Sequence, residues 1–334
     1  MNPTREEKTE MLQYVIRRLL YSVVVLFLAS FLTFSFVAVS GDPLAPLRIT
    51  PNVSQQTIDN VTERKHLDDP VPVRYWYWLQ DAATNQFGTT LLGEKKILPD
   101  LWRVMKNTLQ LVIVAELLAV LVAVGIGVYS ALRQYSVFDY TATTFSFLGL
   151  AMPVFWLALM LQVGVVYVYE WTGHRIFPIA NLSGVDPGTG VSFWVDRAHH
   201  LVLPVLVLMV ASVAAYSRYM RASMLEVVNS DYVRTARAKG LTEQKVQMKH
   251  AFRNALIPLV TLVALNFGAL LGGVIVTETV FSLDGMGLYF ITALGTNDPY
   301  PIMAWLMVTA TIVIIFNLIA DIAYGYLDPR VRYD

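Results

Sequence analysis

Asp231-Tyr-Val-Arg-Thr-Ala-Arg-Ala-Lys-Gly240, running on to His250-Ala-Phe-Arg-Asn-Ala-Leu-Ile-Pro258, is a polar, basic stretch set between long apolar runs. Arg218, Arg221, Arg234, Arg237, Lys239, Lys245, Lys249 and Arg253 make it the densest cationic cluster of the chain. Basic residues beside membrane spans collect on the cytoplasmic side, so this segment orients everything around it. Asp231 suits a helix N-terminus, Asn229 and Ser230 can cap it, Gly240 can stop it, and Thr242 with Glu243 can start the next helix. The expectation is two short helices hinged at a glycine. Ala236, Ala238 and Gly240 are small enough for close backbone approach, with Arg234, Arg237 and Lys239 around them. The same residues also read as a solvated loop that only sets topology, or as a site for anionic membrane lipids.

Working outward, the 334 residues are 55% hydrophobic and 15% charged, with a mean hydropathy of +0.51. Soluble domains hold about 25% charged residues, so this composition is that of an integral membrane protein. A span needs about 20 apolar residues to cross roughly 30 Å of hydrocarbon. Six candidates appear: Leu19 to Val39, Leu109 to Leu132, Tyr140 to Tyr169, Leu201 to Tyr216, which is short and open at its ends, Leu256 to Val276 and Ile302 to Ala320. The fourteen Leu, Ile, Phe and Val residues of the first favour insertion by roughly 4–8 kcal/mol. Pro153 predicts a kink or break in the third, because proline lacks the backbone donor and clashes with the preceding turn.

Arg17 and Arg18, Arg133, the central cluster, and Arg330 with Arg332 fall on one side if the spans are even in number. Both termini are then cytoplasmic. The first apolar run is too long for a cleaved signal, Met1 to Glu10 read as a disordered tail, and Met11 could itself be a start. Outside lie the stretch from Gly41 to Lys106 and an irregular loop from Trp171 to His200. Tyr75-Trp-Tyr-Trp78 reads either as part of an interfacial aromatic belt or as a docking surface.

Polar residues inside the spans are the other candidates. Glu116 costs about 2.5 kcal/mol or more in hydrocarbon unless it is paired or meets water, which suits either a functional site or a buried structural pair. Gln162, Asn266 and Asn317 are more easily satisfied across helix contacts. Gly268, Gly272 and Gly273, following Asn266 at small-residue spacing, suit tight helix packing or the wall of a passage. Glu278 and Asp321 read as edge residues meeting interfacial water. There is no cysteine, His199-His200 is a poor metal spacing, and no Gly-x-x-x-x-Gly-Lys-Ser/Thr phosphate loop occurs. No catalytic residue, metal or bound cofactor is expected, nor a nucleic-acid partner.

Arg234-Thr-Ala-Arg-Ala-Lys-Gly240 resembles the EAA loop of bacterial ABC-importer permeases in its dipeptide and oligopeptide branch. Ser40-Gly-Asp-Pro43, Phe87-Gly-Thr-Thr-Leu91, Met152-Pro-Val-Phe-Trp156, Phe281-Ser-Leu-Asp-Gly-Met-Gly287 and Leu327-Asp-Pro-Arg330 are similar to further motifs of that branch, in its order. Arg234 departs from the general pattern's glutamate, and His250 and Arg253 from its isoleucine and proline, as the branch itself commonly does. Ser40 and Leu283-Asp284 also depart, so contacts of those loops transfer less directly.

The resemblance implies an all-α, polytopic membrane protein with about six transmembrane helices, the type I ABC importer permease fold. It divides the chain into a cytoplasmic tail (1–18), a first transmembrane helix (19–40), an extracytoplasmic segment (41–104), an ABC importer transmembrane domain (105–327) with a coupling segment at 218–255, and a cytoplasmic tail (328–334). Asp231, Tyr232, Arg234, Thr235, Ala236, Arg237, Ala238, Lys239 and Gly240 would meet an ATPase. Glu116, Pro153, Asn266, Gly268, Gly272 and Gly273 would line the pathway or pack it. The implied partners are a second homologous permease, two cytoplasmic ATPases carrying ATP and Mg, an extracytoplasmic peptide-binding protein, and the lipids of the bacterial cell membrane. Nickel chelates, glutathione or opines are alternative cargoes within the branch. An ion-coupled secondary transporter using Glu116 is an alternative of another class, although it expects internal repeat symmetry.

Overall fold

A computed structural model describes residues 5–327 apart from 50, 52, 85–86, 92–93, 272–273 and 297. Gly272, Gly273, Asp328 to Arg330, Arg332 and the tail 328–334 therefore lie outside the described residues. All regular elements among those described are helical, apart from an isolated bridge between Thr89 and Lys96. Six helical stretches are long and apolar enough to cross a membrane.

Helix α1 (Arg5–Ser40) exposes Leu20, Val23, Val25, Leu32 and Phe36, each more than half accessible. Such a surface is stable only against lipid or another protein. After it come α2 (Ala45–Ile49), α3 (Gln55–Arg64) and α4 (Val71–Thr84), which form a small domain outside the spans. Asp42 turns the chain out of α1, its carboxylate accepting the Leu44 amide at 2.9 Å and the Arg48 guanidinium at 2.9 Å. The aromatic run divides along the helix face. Tyr75 (4% exposed) and Trp78 (1%) point inward, one helical turn apart, while Trp76 (57%) and Tyr77 remain outside. Phe27, Phe31 and Phe34 of α1 surround Tyr75 edge-on at 5.1–5.8 Å, and Ser30 hydrogen-bonds its hydroxyl at 2.8 Å. Half of the expected belt is thus the core joining α1 to α4.

Helices α5 (Ile97–Leu132) and α8 (Val191–Val228) are the paired central columns, and their mutual contact is the most extensive among the described residues. At 1.5 Å per residue each exceeds 50 Å, well beyond the hydrocarbon. Both extend past the apolar runs that announced them. The outer extension of α5 is amphipathic, burying Ile97, Leu101, Val104 and Met105 at helical spacing. The extension of α8 is polar, and Arg197 there donates to the side chains of Asn107 and Gln110 on α5. The fourth span is therefore a helix of 38 residues rather than the sixteen from Leu201 to Tyr216, because a charged turn continues a helix when a neighbour takes its hydrogen bonds.

The third span is broken as its proline predicts. Helix α6 (Val137–Ala151) ends at Met152, which is extended, and Pro153 caps α7 (Val154–Thr172). Beyond α8 follow α9 (Asp231–Ala238), a short α10 (Glu243–Lys245), a π-helical stretch (Val246–Phe252) and α11 (Arg253–Leu271). Next come α12 (Ile275–Val280), α13 (Met286–Gly295) and α14 (Pro299–Leu327). Helix α14 packs on α11 and α1. Where α11 meets α14, a Cβ on Gly268 would lie 3.0 Å from Phe316 Cβ, so this glycine serves close helix packing.

Of the two edge carboxylates, Glu278 is buried away from interfacial water, while Asp321 stays partly accessible and is paired as well. Asp321 pairs with Arg18 and accepts from the Tyr14 hydroxyl at 3.3 Å, tying α14 to α1. Glu278 is 1% exposed. It accepts the Thr108 hydroxyl at 2.6 Å and the amides of Gly287 and Leu288 at 2.6 and 3.1 Å, capping α13 against α5. The glycines of Phe281-Ser-Leu-Asp-Gly-Met-Gly287 make this closure possible. A Cβ on Gly287 would approach the Ile275 backbone to 2.6 Å. On the outer side, Asp298 accepts the Leu91 amide at 2.7 Å, anchoring Phe87-Gly-Thr-Thr-Leu91 to the start of α14.

Candidate functional site

Helix α9 projects its polar residues from the end of the α5–α8 pair opposite the small outer domain. Its eight residues carry one apolar stripe, Val233 and Ala236, at i and i+3. Val233 is 0% exposed. Both side chains enter a cluster with Met220 and Met224 of α8, Ala123 and Ala131 of α5, and Val246, Ala251 and Ala255 of the following segment. Burial of Val233 contributes about 1.5–3 kcal/mol to holding an element otherwise too short to be helical alone. Its position is therefore set by the bundle. The tie is mechanical.

The caps differ from expectation. Ser230 stands at the N-cap, yet its hydroxyl donates back to the Val227 carbonyl at 2.6 Å, and the Asn229 amide donates to Leu225 at 2.9 Å. What holds the first turn is the Ser230 carbonyl, which accepts the amides of Val233 and Arg234. Both polar side chains finish α8 rather than start α9. At the other end Gly240 has φ +77° and its amide donates to Arg237 at 2.9 Å. A Cβ there would meet nothing within 4 Å, so glycine is required by backbone sign and not by space. Ala238 is likewise exposed, and only Ala236 of the small residues makes a close approach.

Arg237 reaches across that glycine. Its guanidinium donates to both carboxylate oxygens of Glu243 at 3.0 and 3.2 Å, and this partner holds Arg237 above the ordinary arginine range. Asp231, Arg234, Thr235 and Lys239 stay on the outer face, with a 3.6 Å contact between Arg234 and Asp231. Tyr232 accepts from Asn254 at 3.1 Å, linking α9 to the first turn of α11. The π-helical turn from Val246 to Phe252 had no signal in the periodicity. It places Val246 and Ala251 together in the core under α9.

A buried carboxylate behind this region also went unread. Asp139, in the first turn of α6, accepts from Arg221 at 2.6 and 2.8 Å, from Ser130, and from the Tyr135 amide at 2.9 Å. It joins the α5–α6 turn to α8 about two turns before α8 ends. A carboxylate in the first helical turn after Ser136 is legible as a capping group, but its partner lies 82 residues away.

The intramembrane candidates form a second group. Glu116 on α5 is 3% exposed and accepts the hydroxyls of Ser212 at 2.9 Å and Tyr216 at 2.8 Å, both on α8. The Asn266 amide of α11 donates to Tyr216 at 2.6 Å. Thus Glu116 and Asn266 share one network across three helices, whereas Pro153 and Gly268 shape helix geometry. No group of three or more His, Cys, Asp or Glu that could hold a metal occurs among the described residues.

Residues 123–333 match the family described as the binding-protein-dependent transport system inner membrane component, and residues 11–92 match its N-terminal component. The chain is 38% identical over 325 residues to the oligopeptide transport system permease protein AppB of Bacillus subtilis, covering 97% of this chain and 100% of that protein. It is 38% identical over 335 residues to the dipeptide transport system permease protein DppB of Alkalihalophilus pseudofirmus, with 97% and 100% covered. To DppB of Escherichia coli it is 33% identical over 337 residues, with 97% and 99% covered. A bundle with six membrane-length helices, with such matches along nearly its full length, belongs to the binding-protein-dependent transport system inner membrane component family of permeases.

Proposed function

We propose that this chain is a non-catalytic permease subunit of an ATP-driven ABC importer, forming half of a translocation pathway for di- and oligopeptides. The observation that carries the coupling role is α9, an eight-residue helix locked by Val233 and Ala236 into the core shared by α5 and α8. Force applied to its outer face by a cytoplasmic ATPase passes to the two central columns without a flexible linker. Closure of two ATPases would then rock the spans between inward and outward openings.

ATP and Mg belong to those ATPases, a related permease completes the pathway, and an external binding protein delivers cargo to the face built from α2 to α4. The termini lie in the cytoplasm with α9, as the basic residues direct. The peptide cargo follows the printed names of the relatives. The assembled transporter, purified with the subunits encoded beside it, should show ATPase activity stimulated by loaded binding protein over a panel of di- to oligopeptides. Stimulation by no peptide would remove that cargo assignment and leave the importer class standing.

A further inference from the structure

From Glu243 to Leu271 the backbone is one continuous helical rod that joins the hinge after α9 to the fifth span, with the π-helical stretch near its cytoplasmic end. The residues it buries account for the wider turn. Val246, Ala251, Ala255 and Leu259 all enter the core shared with α5, α8 and α9, and they follow one another at steps of five, four and four residues. A step of four holds one face of an α-helix, whereas a step of five turns a residue by about 140°. Bonding from i to i+5 across that step brings Val246 round to the side of Ala251. Met248 is left 53% exposed.

The same residues fit a second register. If the α-helical phase of α11 continued back through the stretch, Met248 would precede Ala251 by three residues and share its face with Ala255 and Leu259, at steps of three, four and four. Val246 would then point to the opposite side. Two apolar side chains therefore compete for one place beneath α9, and the extra residue of the π-turn separates the two arrangements. The joint stands between the two most extensive helix pairings among the described residues, α5 with α8 and α11 with α14.

We propose that Val246–Phe252 is a register switch, in which Met248 replaces Val246 in the core when these two halves of the bundle move past one another. The π-turn resolves into α-helix, and α10 turns by one residue, about 100°, while α9 and α11 keep their own core contacts. Helix α9 is thus fixed to α5 and α8 but joined to α11 through a slip of one residue. The switch rests on the reading of α9 as the element that meets an ATPase.

The chain contains no cysteine, so Val246→Cys, Met248→Cys and Ala255→Cys, made one at a time, are read by N-ethylmaleimide labelling of this subunit in the assembled transporter. Labelling is compared without nucleotide and after trapping with ATP and vanadate. In one state Met248→Cys should react and Val246→Cys should not, as their exposure in the structure requires, and in the other the order should reverse, each rate changing tenfold or more. Ala255→Cys, buried in both registers, should stay unreactive. An ATPase closing over the surface can hide position 248 but cannot uncover position 246, so a change at 248 alone would overturn the proposal. Equal gains at 246 and 255 would show general loosening and overturn it too. Met248→Gln, at an exposed site that leaves the present register intact, supplies a second measurement that needs no buried cysteine. Uptake per ATP hydrolysed should fall tenfold or more, because the second register loses its apolar anchor, and Met248→Leu should retain it. Unimpaired uptake by Met248→Gln would refute the switch while the unaltered transporter still couples hydrolysis to import. An unaltered transporter in which ATP does not drive uptake would refute the coupling reading, and the switch with it.

Discussion

Gly240 offers the sharpest test of how α9 is held. Its φ of +77° lies in the left-handed region, and the space around a Cβ is empty. Any loss on substitution must therefore come from backbone conformation rather than collision. A non-glycine L residue in that region costs about 1–2 kcal/mol, a β-branched one more, and asparagine less, because its side chain is tolerated there. A cost of about 1.4 kcal/mol is a tenfold change in an equilibrium. The expected order of retained coupling is Gly240, then Gly240→Asn, then Gly240→Ala, then Gly240→Val. Valine should favour other hinge geometries by tenfold or more. The assay is the ratio of ATP hydrolysed to peptide taken up by reconstituted transporter, with the thermal midpoint of the purified complex as a control. Because the glycine is a surface hinge, the midpoint should move little while the ratio rises. If asparagine proved as damaging as valine, size would govern this position and the conformational reasoning would fail. Unchanged coupling in valine would refute the lever.

Arg237→Glu should uncouple by repelling Glu243, and the swap Arg237→Glu with Glu243→Arg should recover much of the loss; an unrecovered swap would point instead to a direct contact of Arg237 with the ATPase. Asp139→Ala leaves the half-buried Arg221 without its carboxylate and should cost about 3–5 kcal/mol, read as a fall in detergent thermal stability, whereas a shift within error would mean that solvent compensates the arginine. Gly287→Ala puts a methyl against the Ile275 backbone and should destabilise by about 1–3 kcal/mol, with reduced accumulation in the membrane. Wild-type accumulation and stability would show that α12 can retreat from α13.

Much of the architecture is legible because its causes are local. Long apolar runs announce spans, Pro153 breaks the helix it occupies, and Gly240 ends α9 through its own backbone freedom. Where the periodicity stops, the reading stops short. The polar start of α8 is helical because Asn107 and Gln110 on another helix accept Arg197, a contact spanning about 90 positions that no window of residues contains. The amphipathic start of α5 did carry a readable signal, with Ile97, Leu101, Val104 and Met105 on one face, although its mean hydropathy is diluted by Arg103 and Lys106.

Composition and local pattern established a helical membrane protein with a break at Pro153 and a basic helix hinged at Gly240. Chain folding decided which polar groups are inside and what they meet: Glu278 caps α13 instead of touching water, Tyr75 and Trp78 turn inward while Trp76 and Tyr77 do not, and Glu116 finds Asn266 through Tyr216. The physical reason is the range of the interactions. Helix formation and membrane insertion depend on neighbours within a few turns, whereas the burial of a carboxylate depends on donors brought from distant helices, and these become neighbours only when the bundle closes.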